Sequence, residues 1–149
     1  MLVGEYCNRE VVVVGAEDSV LEAARVMREY HVGDVVIVEE KYGKQSPIGI
    51  MTDRDIVLEI VAEGADPETI RVGDAMSFDL VKVNHDDDLM HAIETMRDKG
   101  VRRVPVVDAN DVLVGILSVD DLLDLFSEIM IDIAHLVDRQ RRRESQTRP

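Results

Sequence analysis

Apolar residues recur along this chain in two alternating rhythms. Val11 to Val14 is a short β-branched run that predicts a strand. Behind it, Ser19 and Glu22 form an S-x-x-E capping box, and Val20, Ala23, Ala24, Met27 and Tyr30 fall at helical spacing on one face. This helix ends near His31-Val32-Gly33. Val35 to Val38 predicts a strand buried on both faces, Lys41-Tyr42-Gly43-Lys44 a connecting loop, and Ile48 to Met51 the next strand. A second helix is predicted from Thr52 to about Glu63, where Gly64 stops it.

The same order then returns: strand 80–83, helix 88–99 with Asp88 as N-cap, strand 103–107, strand 112–117 and a helix from 118. Val3-Gly4-Glu5 lies over Val72-Gly73-Asp74 at a shift of 69 residues, and this register holds through Val38 over Val107. Val12, Val14, Asp18, Ala23, Met27, Arg28, Val32 and Val35 fall on Val81, Val83, Asp87, Ala92, Met96, Arg97, Val101 and Val104. Beyond the hairpin the shift is 66, because Asp108-Ala109-Asn110-Asp111 replaces a longer loop in the first copy. Asp66-Pro67-Glu68 begins the linker, with Asp66 suited to N-cap and Pro67 to the first helical position. A fixed period implies two copies of one β-α-β-β-α unit, neither large enough to bury its own core. The fold class is therefore mixed α/β (α+β), with copies at 1–66 and 67–126. Residues 127–149 are a C-terminal helix extension and basic tail, and the last helix breaks the symmetry: Leu122, Leu125, Phe126, Ile129, Ile133, Leu136 and Val137 carry an apolar stripe well past the point where the first copy's last helix stops. Something must cover that stripe.

Composition narrows the function. The 149 residues hold 31 acidic and 17 basic side chains, a net charge of −14, and the basic set is four Lys against thirteen Arg. Such a field repels phosphate backbones, which argues against general nucleic-acid binding, and it favours solubility. The acidic, Lys-poor surface suits a salt-rich cell interior as well as an ordinary cytosol. The apolar set is aliphatic, with no Trp and only two Phe, so there is no aromatic platform for single-stranded nucleic acid. Cys7 is the only cysteine, which excludes an internal disulfide and a CxxC site and reads as a small apolar filler. No apolar stretch approaches the roughly 20 residues needed to cross a bilayer, so the expected compartment is the cytoplasm. Arg139, Arg141, Arg142, Arg143 and Arg148 make a basic tail that suits a helix C-terminus or a partner.

Two strand-to-helix corners carry the candidate chemistry, Gly49-Ile50-Met51-Thr52-Asp53-Arg54-Asp55 and Gly115-Ile116-Leu117-Ser118-Val119-Asp120-Asp121. Each has a hydroxyl at the strand end and a carboxylate three residues on. That spacing satisfies a relaxed capping box, worth about 1 kcal/mol. The same geometry also offers backbone N–H groups to an anion and a carboxylate to vicinal ribose hydroxyls. Both readings stand at this level. His85-Asp86-Asp87-Asp88 with His91 reads as a dipole-matched helix start, with no metal expected. No nucleophile–base motif and no Walker-type loop occurs, so no catalysis and no cofactor are expected.

The doubled unit, the VRRVPVVD run at Val101 to Asp108 and the GIMTDRDI and GILSVDDL segments resemble a tandem pair of CBS domains, often called a Bateman module. The resemblance covers about Val3 to Phe126. It implies two repeats packed about a pseudo-twofold axis and two clefts that take AMP, ADP, ATP or S-adenosylmethionine. It also implies a homodimer. It places Asp55 and Asp121 on ribose hydroxyls and Thr52 and Ser118 nearest the phosphates. Adenine would lie against Val12, Val14 and Val35 in one site, and against Val81, Val83, Val104 and Pro105 in the other. Arg54, Arg102 and Arg103 would meet the phosphate charge, with His31 nearby; a planar guanidinium bonds phosphate oxygens in pairs. The copies differ there: Arg102-Arg103 stands where the first copy has Gly33-Asp34, and Arg54 where the second has Asp120. The two clefts are therefore unequal. The function implied is a regulatory, ligand-sensing module acting on a partner in trans; the alternative is a structural dimerisation unit with empty clefts.

Overall fold

The computed structural model describes residues 1–76 and 79–148. It divides into two compact units, Met1–Leu117 and Ser118–Pro149. In the first, β1 (Val13–Gly15) runs parallel to β2 (Asp34–Lys41), which pairs antiparallel with β3 (Lys44–Thr52) in the order β1-β2-β3. The second copy repeats this sheet with β4 (Val83–Asn84), β5 (Arg103–Val107) and β6 (Leu113–Ser118) in the order β4-β5-β6. The crossover helices are α2 (Val20–Tyr30) and α5 (Leu89–Lys99), as the apolar spacing predicts. Ser19 Oγ accepts the Glu22 N–H at 3.0 Å, and Asp88 Oδ2 accepts those of Met90 and His91. Both helices end in a left-handed residue at the same repeat position, His31 in the first copy and Gly100 in the second.

Two single-turn helices, α1 (Val3–Tyr6) and α4 (Val72–Ala75), lie on the very residues that open the repeat, where no element was predicted. Each docks on the other copy. The N–H groups of Val3 and Gly4 donate to the carbonyls of Asp87 and His85 at 3.0 and 2.8 Å; those of Val72 and Gly73 donate to Asp18 and Ala16, both at 2.8 Å. Val72 is fully buried in the first copy's core, among Val14, Val20, Ala23, Met27, Val35, Ile37, Met51 and Ile60. Val3 is equally buried. The cores are thus completed by exchange.

Three expectations shift. The first hairpin turns through only Tyr42 and Gly43, at φ 53° and 74°, a two-residue turn between paired Lys41 and Lys44. Its three extra residues lengthen the strands instead of the loop, and Ile48 is the extra residue of a bulge opposite Ile37 and Val38. The helix expected from Thr52 is α3 (Asp53–Ile56), one α turn that widens into a π turn over Val57–Val61. Apolar spacing cannot tell an i+4 from an i+5 repeat over so short a span. Asp66 caps a turn, accepting the Glu68 N–H at 2.9 Å, and no helix follows Pro67. The second unit is α6 (Val119–Thr147), a single helix of 29 residues. Among the described residues no helix is long and apolar enough to cross a membrane.

The exchange depends on close backbone approach. Asn8 and Ile116 bond each other reciprocally at 2.9 and 2.8 Å, and this brings Cys7 against Gly115. A Cβ on Gly115 would sit 2.6 Å from Cys7 Sγ and 2.9 Å from the Asn8 carbonyl, which the strand bridge holds fixed. Gly115→Ala is therefore expected to lower unfolding free energy by about 2 kcal/mol, the scale of core overpacking. Urea denaturation should show this as a lower midpoint with an unchanged slope.

Candidate nucleotide cleft

A cleft of about 380 Å³ opens in the first unit where the β3–α3 corner meets the second copy. Ile50, Thr52 and Asp55 line it from the first copy; Asp79, Leu80, Val81, Gly100, Val101, Arg102 and Arg103 line it from the second. The corner forms because Thr52 leaves the strand with extended backbone, at φ −104° and ψ 163°, and its side chain turns back as an N-cap. Thr52 Oγ1 accepts the Asp55 N–H at 3.1 Å, and Asp55 Oδ2 accepts the Thr52 N–H at 2.8 Å. The capping box is therefore real. It also serves as scaffolding: the two bonds fix the Asp55 carboxylate at the cleft wall with Oδ1 left for other donors.

Gly100 ends α5 and Arg103 begins β5, so Arg102 and Arg103 follow the helix end directly into the cleft. Arg102 is exposed. Arg103 is three-quarters covered, and its Nε bonds Asp34 Oδ2 of β2 at 2.9 Å, a cross-link between the copies. Burial raises the Asp34 pKa above its ordinary value; the Arg103 guanidinium pulls it down less strongly, and the Asp53 carboxylate adds to the rise. Asp34 is thus a strained counter-ion, carrying its charge at a cost that Arg103 only partly offsets.

Of the other residues named from sequence, Val35, Val104 and Pro105 are fully buried and Val14 and Val83 nearly so. They form core behind the cleft and do not line it. Val12 packs against the first copy's core. Arg54 is exposed on α3 with its N–H on Asp53 Oδ1, outside the cleft lining. His31 is the exposed, left-handed end of α2. Ser118 and Asp121 lie in the second unit, where Ser118 Oγ accepts the Asp121 N–H at 3.2 Å and lies 2.9 Å from Asp121 Oδ2 as its donor. Sequence reasoning missed Ile50, Asp79, Leu80, Gly100 and Val101 as cleft residues. Asp79 precedes the predicted strand and Leu80 opens it, and only their place in the cleft with Thr52 marks them. It also missed Asp34, whose opposition to Arg103 is a tertiary fact.

A broader groove of about 570 Å³ lies over β1 and the β2–β3 hairpin, with Glu17, Asp18, Glu39 and Glu40 among its lining. Four carboxylates make it unsuited to phosphate. Among the described residues no three His, Cys, Asp or Glu side chains come together as a metal site.

The family model for the CBS domain matches residues 3–62 and 72–128. The chain belongs to the CBS-domain family. An uncharacterised protein of Methanopyrus kandleri is 40% identical over 123 residues, 83% of this chain; the chain spans 61% of that relative's length. A crystal structure of Hypoxic Response Protein I with two coordinated zinc ions has a TM-score of 0.73 at 30% identity, covering 83% of this chain and 98% of that one. A CBS domain pair in complex with 5′-methylthioadenosine and S-adenosyl-L-methionine has a TM-score of 0.73 at 25% identity, covering 86% and 97%. The two β-α-β-β units are this family's domain, present twice in one chain.

A carboxyl whose folded pKa is raised favours the fold when protonated, and that contribution is lost as pH rises through the folded pKa. Asp34→Asn should therefore leave stability at neutral pH unchanged or higher. By releasing Arg103 and removing a negative charge, it should tighten binding of an anionic probe such as ADP by roughly fivefold, about 1 kcal/mol. Isothermal calorimetry should also show wild-type affinity rising as pH falls through the Asp34 titration, a dependence the variant lacks.

Proposed function

We propose that this protein is a non-catalytic sensor that binds an adenosine-containing ligand, AMP, ADP, ATP or S-adenosylmethionine, in the cleft between its CBS repeats. The observation that carries the reading is one cleft presenting a capped carboxylate, Asp55, opposite two guanidinium groups, Arg102 and Arg103. A nucleotide needs a carboxylate for its ribose hydroxyls and cations for its phosphate, beside an apolar seat for its base, which Ile50, Leu80 and Val81 supply. The volume falls within the range of small-molecule sites. The similar pair solved with 5′-methylthioadenosine and S-adenosyl-L-methionine supports an adenosine ligand for this chain as well.

The signal would arise because the cleft walls come from different copies. A ligand that bridges Thr52 and Asp55 to Arg103 competes with Asp34 for that guanidinium, so binding favours one arrangement of the repeats over another. Only such differential affinity can transmit a signal. The output acts through a homodimer or a regulated partner in trans, in the cytoplasm.

A thermal-shift screen against AMP, ADP, ATP, S-adenosylmethionine and NAD tests this reading. A ligand at 100 times its dissociation constant should add about 2.7 kcal/mol and raise Tm by several degrees. Asp55→Asn should lower Tm slightly through the lost cap and abolish most of the ligand-induced rise. If no adenosine compound moves the midpoint, or the variant responds as fully as wild type, the sensing reading fails and the empty-cleft dimerisation unit takes its place.

A further inference from the structure

The last helix carries features that ligand sensing does not use. The family match ends at residue 128, yet α6 runs on to Thr147, so its 29 residues span about 44 Å. Every described residue from 131 onward is exposed. On one face Met130, Ile133, Leu136 and Val137 are 70%, 57%, 68% and 40% exposed, an apolar stripe at helical spacing. Phe126, Ile129, Ile133, Leu136 and Gln140 continue along it at alternating steps of three and four, the seam of a coiled coil.

The charges on the same helix are segregated. Asp120, Asp121, Asp124, Glu128 and Asp132 occupy the first half, and no Lys or Arg appears before Arg139. Arg139, Arg141, Arg142 and Arg143 follow, opposed locally by Glu144 and by Asp138, which Arg142 holds at 3.2 Å. Side by side in the same direction, two such helices would lay acid on acid and base on base. Reversed, each acidic half meets a basic half.

We propose that α6 pairs antiparallel with α6 of a second copy of this chain, about a twofold axis between Ala134 and His135. About that point Ile133 meets the partner's Leu136 in the seam. Met130 meets the partner's Val137 on one flank, and Asp132 faces the partner's Arg139 on the other. One surface patch is thus complementary to itself, as a twofold contact requires. Ile131 lies on the opposite face and takes no part. This contact uses none of the residues that line the cleft of the first unit.

Sedimentation equilibrium of the full chain tests the pairing. Wild-type association should weaken as NaCl rises from 0.05 to 1 M, since opposite charges are being screened; a parallel pair would strengthen instead. Glu128→Arg with Asp132→Arg, and separately Arg139→Glu with Arg143→Glu, should each raise the dissociation constant at least about tenfold. All four together should return it to within about threefold of wild type. Ile133→Ser with Leu136→Ser should weaken association comparably while leaving any ADP-induced thermal shift intact. Self-association through another face is common to the charge variants and cancels in their cycle. Equal dissociation constants for all four proteins, failure of the combined swap to restore, or strengthening by salt would overturn the proposal.

Discussion

Everything in the first unit depends on an exchange of one helical turn between two half-domains. Neither three-stranded sheet with one crossover helix encloses a core. Each is closed by a valine from the other copy, held by a pair of backbone bonds: Val3 and Gly4 to Asp87 and His85, and Val72 and Gly73 to Asp18 and Ala16. All four acceptors lie between a first strand and its crossover helix, a segment whose carbonyls would otherwise need water. The glycines matter for this reason. A Cβ on Gly4 or Gly73 would come within 3.0 Å of the acceptor carbonyl of His85 or Ala16, atoms that cannot yield without breaking the bond that docks the turn.

That exchange sets where a ligand can sit. With the copies locked together at α1 and α4, the β3–α3 corner of one faces the helix end and β5 of the other, and the cleft is the space left between them. Further ties are polar. Ser46 Oγ of the first copy lies 2.8 Å from the Asp111 carbonyl of the second and 2.7 Å from its Oδ2, while Lys82, within the second copy, steadies Asp111 by reaching its Oδ1 at 2.6 Å. Both contacts hold the Asp111 pKa down, Lys82 more strongly. Arg103 and Asp34 make the tie at the cleft itself. Of these links it is the one whose guanidinium lines the cleft, so on the proposed function a bound anion would compete for it.

Much of this was legible in the sequence, for reasons that explain the rest. The repeat, the strand order and the caps at Ser19, Thr52, Asp88 and Ser118 are local or periodic, and such signals survive in one dimension. Thr52-x-x-Asp55 posed a choice between cap and ligand site. The structure supplies the cap bonds and sets the capped carboxylate on the cleft wall, so the first reading does not displace the second. What escaped were facts of juxtaposition. Val35, Val104 and Pro105 sit on the right strands, but a strand buried on both faces turns no side chain to a ligand. Val3-Gly4-Glu5 was visible as a repeat marker, yet a four-residue turn has too few apolar positions to declare itself a helix, and its docking partner lies more than 80 residues away.

The imperfections of the repeat bear on function because the exchange forces the copies to share one architecture. Where the backbone must coincide, side chains alone can distinguish the clefts, and position 34 against position 103 is the sharpest case. The second copy places a guanidinium there and the first a carboxylate, and the fold brings these two equivalent positions together as an ion pair. A symmetric pair of arginines would repel, and a symmetric pair of aspartates would exclude phosphate. The pairing of unlike residues instead stores a counter-ion for Arg103 when no anion is present, while burial keeps Asp34 a weak competitor for it. On the proposed function, divergence between the copies at that one position gives a duplicated scaffold a cleft whose occupancy the rest of the unit would feel.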